Sequence, residues 1–126
     1  MKIIASKNDL SGKVFKDRII YKGIGREGPI ISGKMTVGFG DYSSDIGTME
    51  AHQHAEETVY IVSAEKAYIR RGESKDTLEK QIPLKMGMLV HFDEMEWHVF
   101  DCDQGGHVTI LFIYGQVDKI RPEEIN

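Results

Sequence analysis

Apolar positions in this chain come in short runs, and no stripe at helical spacing is sustained. Arg18-Ile19-Ile20-Tyr21, Met35-Thr36-Val37, Thr58-Val59-Tyr60-Ile61-Val62, Ala67-Tyr68-Ile69, Met88-Leu89-Val90 and Val108-Thr109-Ile110-Leu111-Phe112-Ile113-Tyr114 are rich in β-branched and aromatic residues. Each is bounded by Gly, Asp, Ser or Pro, so each reads as a strand between turns. Short strands at this spacing predict an all-β sandwich or barrel. The polar stretches at 72–81 and 122–126 read as a long loop and a tail, and a trace of helical pattern lies around residues 7–15. The chain shows no internal repeat, low-complexity segment or linker.

With 126 residues the pattern fits one domain over residues 1–126. Sixteen Lys+Arg against 20 Asp+Glu leave a net charge of −4, which argues against a nucleic-acid partner, since that affinity rests on clustered cations. No apolar run approaches the roughly 20 residues of a membrane span, and the first residues lack the apolar stretch of a signal peptide. Cys102 is the single cysteine, so no intrachain disulfide is expected and a reducing, cytoplasmic location is the default.

Two motifs suggest chemistry. Gly23-Ile24-Gly25-Arg26-Glu27-Gly28 matches GxGxxG, but the dinucleotide site needs a helix opening at the glycines. Pro29-Ile30-Ile31-Ser32-Gly33 follows instead, so a hairpin turn is expected. The second is Glu50-Ala51-His52-Gln53-His54-Ala55-Glu56-Glu57. On a strand, residues two apart share a face, so His52 and His54 project together, with a carboxylate just beyond. That set suits a first-row transition metal. Downstream, the segment from Met86 to His98 runs strand, turn, then a histidine opening the next strand.

These segments resemble the two motifs of the cupin superfamily, G-x5-H-x-H-x3,4-E-x6-G and G-x5-P-x-G-x2-H-x3-N. The first runs from Gly47 through His52, His54 and Glu57 to Ala64 in place of glycine. The second runs from Gly87 through Asp93 and Met95, at the Pro and Gly positions, to His98, with Cys102 at the asparagine. Two spacings are one residue short, Gly47 to His52 and His54 to Glu57. The latter leaves Glu56 as an alternative acid, although counting back from Ala64 favours Glu57. A loop deletion would leave the strand phase intact. The resemblance covers residues 35–115. It implies a double-stranded β-helix (a jelly-roll barrel) with His52, His54, Glu57 and His98 holding one divalent ion in its mouth. Fe, Mn, Ni, Co, Cu and Zn all fit this ligand set.

Strand parity then places Val59 and Ile61 inside with Glu57. It also aligns Glu50 with the histidines and Glu96 with His98, making these two carboxylates candidates for proton transfer. His91 and His107 read as structural. Trp97, Phe100, Phe112 and Tyr114 read as core or dimer-interface aromatics. Cys102, between Asp101 and Asp103, is a poor nucleophile because adjacent carboxylates raise a thiol pKa. Lys34, Arg70 and Arg71 read as surface charges. The resemblance further implies a homodimer and a metal-dependent enzyme for a small polar metabolite, of dioxygenase, isomerase, decarboxylase or lyase type. A non-catalytic small-molecule-binding or sensor cupin is the alternative, and a third is a metal-free cupin whose histidines bind substrate directly.

Overall fold

A computed structural model describes residues 1–121; the tail expected at 122–126 lies outside them. The described residues are organised as β-strands with a single short 3-10 turn at Lys7–Asp9. That turn is all that forms of the helix expected over 7–15. Ser6 caps its start, Leu10 leaves it in an extended conformation, and Ser11-Gly12 do not favour continuation. The strands are β1 (Gly12–Val14), β2 (Ile19–Gly25), β3 (Ile30–Ile31), β4 (Thr36–Ser43), β5 (Glu57–Ser74), β6 (Thr77–Leu78), β7 (Ile82–Pro83), β8 (Leu89–Phe92) and β9 (Trp97–Tyr114). No helix is long and apolar enough to cross a membrane.

Two 18-residue strands, β5 and β9, organise the molecule by pairing antiparallel over most of their length. The first half of β5 lies between β8 and the C-terminal half of β9, and that wall continues through β4 and β2 to β1. The second half of β5 pairs with β6, β7 and the N-terminal half of β9 to form a second wall. Register shifts at Ile61/Ser63 and Glu65/Ala67 mark the change of wall, since a bulge bends the strand that carries it. One pair of strands therefore serves both walls of a jelly-roll barrel.

Alternation fills the interior. Val59 and Ile61 on β5 face Phe112 and Ile110 on β9 and are fully buried, as the phase of Glu57 requires. They join Tyr42, Met49, Phe92, Val99, Phe100 and Val108 in one core cluster. Burial of an aliphatic side chain of this size contributes about 1.5–3 kcal/mol.

Two local expectations change. Residues 72–81 are not one long loop: β5 continues to Ser74 and turns tightly into β6, pairing Gly72 with Leu78 and Ser74 with Thr77. Leu78 is the one large apolar side chain among these four positions, so no apolar alternation marks the pairing. The GxGxxG segment does turn without entering a helix. It is not a hairpin, however, because β3 pairs parallel with the end of β2.

The segment between β4 and β5 carries Gly47, Glu50, His52 and His54. Gly47 has φ +151°, and a Cβ there would lie 2.1 Å from the Lys16 carbonyl oxygen. This contact brings the turn between β1 and β2 against the loop that carries the histidines. A side chain at this position meets both a strained φ and a backbone clash. Gly47→Ala is expected to lower stability by about 2 kcal/mol or more, read as a lowered midpoint in urea unfolding.

Candidate metal centre

His52 and His54 are not on a strand. His52 forms a single antiparallel bridge with His98, its N–H and C=O each 3.0 Å from the partner group. The chain then leaves β9: the His54 carbonyl accepts from Met95 N–H at 2.7 Å, and Ala55 N–H donates to the Ile120 carbonyl at 2.8 Å. Met95 stands where the cupin motif has glycine, and its φ of +61° explains that preference. The backbone bridge sets His52 and His98 side by side, with ring centroids 4.4 Å apart. His54 closes the triangle at 5.2 and 4.6 Å.

Ring orientation follows from the backbone. His52 Nδ1 donates to the Glu50 carbonyl at 3.3 Å, His54 Nδ1 to Ala55 at 2.8 Å and His98 Nδ1 to Glu96 at 2.7 Å. A carbonyl can only accept, so each Nδ1 carries the proton and each Nε2 keeps a lone pair. Burial is the first cause lowering all three imidazole pKa values, His52 to about 4 and His98 to about 2; the neighbouring rings add to it for His52 and His98, and the charges of Arg18 and Arg121 for His54. All three are neutral near pH 7. His54 Nε2 and His98 Nε2 stand 3.1 Å apart, and by this tautomer argument neither brings a proton to the contact. Ligand atoms of the three rings lie within 4.8 Å of one another. Neutral imidazoles with converging lone pairs, each fixed through its far nitrogen, have the chemistry of metal ligands. The His52/His54/His98 cluster can hold a metal ion. Phe92 stacks on His98 at 3.8 Å and stiffens one side.

Glu57 opens β5 facing inward, 5% exposed, with Oε1 3.5 Å from His54 Nε2. Glu56 points outward instead and accepts from exposed His91 Nε2 at 2.8 Å, while Thr58 holds His91 Nδ1 at 2.9 Å. The phase of β5 thus brings Glu57, and not Glu56, to the histidines. Burial raises the Glu57 pKa to about 7, against a lowering by the hydrogen bond that Tyr114 donates. Tyr114 is pushed far above its ordinary value by burial and by Glu57, so its hydroxyl keeps its proton. Its ring meets His54 edge-on at 5.5 Å.

The cluster lies in the wall of a cavity of about 960 Å³ that Glu50, Trp97, Phe100, Phe112 and Tyr114 also line. The four aromatics are therefore cavity wall, and Phe100 and Phe112 belong to the core as well. Glu50 is exposed at this wall. Glu96 accepts from Arg71 Nε at 2.6 Å and from Asp93 N–H at 3.0 Å, which holds its carboxylate in a surface ion network with Glu79 and Glu73. Arg70 pairs with Asp101 at 2.7 Å, and His107 is exposed. The Cys102 thiol pKa is raised, first by burial and then by Asp101 and Asp103. Sequence reading missed Tyr114 as part of the site. Alternation along β9, with Val108, Ile110 and Phe112 inward, was the signal that could have found it.

The raised Glu57 pKa has a consequence for metal-free protein. Unfolded, the group titrates near 4.5 and folded near 7, so the folded state holds the proton more tightly. Below about pH 4.5 the group is protonated in both states and adds no pH-dependent cost; the cost grows up to about pH 7 as the unfolded state alone releases the proton. In chelator-treated protein, Glu57→Gln is expected to raise stability at pH 8 and to leave it nearly unchanged at pH 4.5, checked by urea unfolding at both values.

No family model matches the sequence, and no curated protein does. Similar solved structures include the polyketide cyclase RemF from Streptomyces resistomycificus, at 14% identity and TM-score 0.69 over 90% of this chain and 78% of that one. The oxalate decarboxylase of Lactobacillus farciminis matches at 16% and 0.69 over 90% of this chain, which spans only 33% of that protein. DMSP lyase DddQ from Ruegeria pomeroyi DSS-3 matches at 16% and 0.67, over 84% of this chain and 56% of that one. The shared feature is the barrel: this chain has the jelly-roll fold of these structures, and the three histidines of its two motifs cluster at one cavity.

Proposed function

We propose that the chain is a metal-dependent cupin enzyme acting on a small polar metabolite, with His52, His54, Glu57 and His98 binding one divalent transition ion. The observation that carries this reading is the convergence of three neutral imidazole nitrogens beside a buried carboxylate. When bound, the ion supplies Lewis-acid polarisation of a substrate oxygen or a redox centre. The protein's own groups set the rest. Tyr114 donates to Glu57 and holds that carboxylate against the rings, Phe92 fixes the His98 plane, and the aromatic wall excludes water from one side. Of the two carboxylates proposed for proton transfer, Glu50 lines the cavity, whereas Glu96 is held by Arg71 outside it. The geometry therefore favours Glu50 as the base that takes a substrate proton. Glu50 and Tyr114 put proton-carrying groups on the wall besides the histidines and Glu57, which favours an enzyme over a binding module.

The purified protein is expected to carry close to one transition ion per chain by elemental mass spectrometry, and His98→Ala to lose most of it. Loss of one ligand from such a set costs at least the roughly 10–100-fold in affinity associated with weaker, outer-shell changes. Metal-free protein that takes up none of Fe, Mn, Ni or Zn would replace this reading with that of a binding module.

The reading includes a homodimer. Tyr60, Val62, Leu89 and Ile113 present exposed side chains, and Tyr60 pairs with Leu89 across β5 and β8, so this outer wall is apolar. Light scattering after size exclusion should give twice the 14.3 kDa chain mass, and Leu89→Lys should shift it toward the monomer. A monomeric wild type would remove this part of the reading.

A further inference from the structure

The turn between β1 and β2 contains Asp17, an 8%-exposed carboxylate among the few buried charges described. Its partner is Arg18, whose Nη1 donates to Asp17 Oδ1 at 2.8 Å. The Arg18 guanidinium also lies over the Phe15 ring, 4.8 Å from its centroid. One acid and one aromatic face thus hold the side chain, and the tight contact at Gly47 holds its turn against the loop of His52. Both residues line the same cavity as His52, His54 and His98. Arg18 is near enough to lower the pKa of His52 and His54 through its charge. Among the described residues Asp17 is its only acid partner, and a guanidinium has five N–H donors in a planar fork.

The described lining of the cavity is cationic in an acidic chain. Among the described residues, seven Lys or Arg line it against five Asp or Glu, although the net charge of the chain is −4. A divalent ion beside Glu57 would add a further positive charge. Low-dielectric walls concentrate such a field on an entering ligand. Burying Asp17 in order to fix one arginine at the cavity wall has no packing advantage over an apolar pair of the same volume. It does pre-position a cationic fork, and the planar fork matches a carboxylate in two-point geometry.

We propose that Arg18 is the anchor for a carboxylate of the metabolite, so that the substrate class is a small carboxylic acid with a second oxygen group directed to the histidine cluster. This rests on the metal-centre reading for the second contact only. Asp17 is a positioning residue that fixes Arg18 and does not touch the ligand.

The test is calorimetric titration of malonate, with propane-1,3-diol as the neutral control, into metal-free and cobalt(II)-loaded protein. Cobalt visible absorption reports ion occupancy separately. Wild type should bind malonate and not the diol. Arg18→Gln should weaken malonate by at least about tenfold, the loss typical of a charge-assisted contact, with cobalt bands retained. Because Arg18→Gln leaves the buried Asp17 without its cationic partner and so destabilises the fold, the double variant Asp17→Asn/Arg18→Gln removes both charges and should show the same loss. Unchanged malonate affinity in either folded variant, equal binding of the diol, or no malonate binding by wild type would each overturn the assignment of Arg18. Failure of wild type to take up cobalt would overturn the metal centre instead. Arg18-dependent malonate binding by metal-free protein would then still support the anchor.

Discussion

Three neutral imidazoles are confined where their lone pairs face one another, and much of the barrel mouth is arranged to keep them there. Two Nε2 atoms at 3.1 Å with no proton between them repel, and burial prevents either ring from relieving this by protonation. The arrangement persists because each ring is tied through Nδ1 to a backbone carbonyl that the fold holds in place. A site of this kind has its electrostatic complement in a cation, and the neighbouring carboxylate of Glu57 points the same way.

The strands explain how the parts meet. β9 carries His98 near its start and Tyr114 at its end, while β5 carries Glu57 at its first residue, so one antiparallel pair supplies three of the groups. The loop between β4 and β5 brings His52 and His54 to them by a single backbone bridge. Stability of the site therefore depends on the long pair and on one loop contact at Gly47, not on the short outer strands.

The β-rich class was legible because the apolar runs alternate, and the clustering of His52, His54 and His98 because the His-x-His spacing and the later histidine recur in a known pattern. Glu57 could be chosen over Glu56 since its phase is that of Val59 and Ile61, and burial follows that phase. Tyr114 shared a signature with any core aromatic, so alternation placed it inside without revealing its hydrogen bond to Glu57. The strand nature expected at 52–54 failed because the segment leaves β9 after one bridge, which periodicity over three residues does not register. Asp17 and Arg18 were invisible for another reason. They are adjacent in a polar turn far along the chain from the histidines, and tertiary packing, including that of Lys16 on Gly47, brings them to the cavity.

Whether His52, His54, His98 and Glu57 act together as ligands of one ion is decided by X-ray absorption of the zinc-loaded protein. The spectrum should show a first shell of nitrogen and oxygen at about 2.0–2.2 Å, with outer-shell scattering from three imidazoles, and one imidazole fewer in His98→Ala. A shell with no imidazole scattering, or one unchanged by that substitution, would contradict their joint ligation.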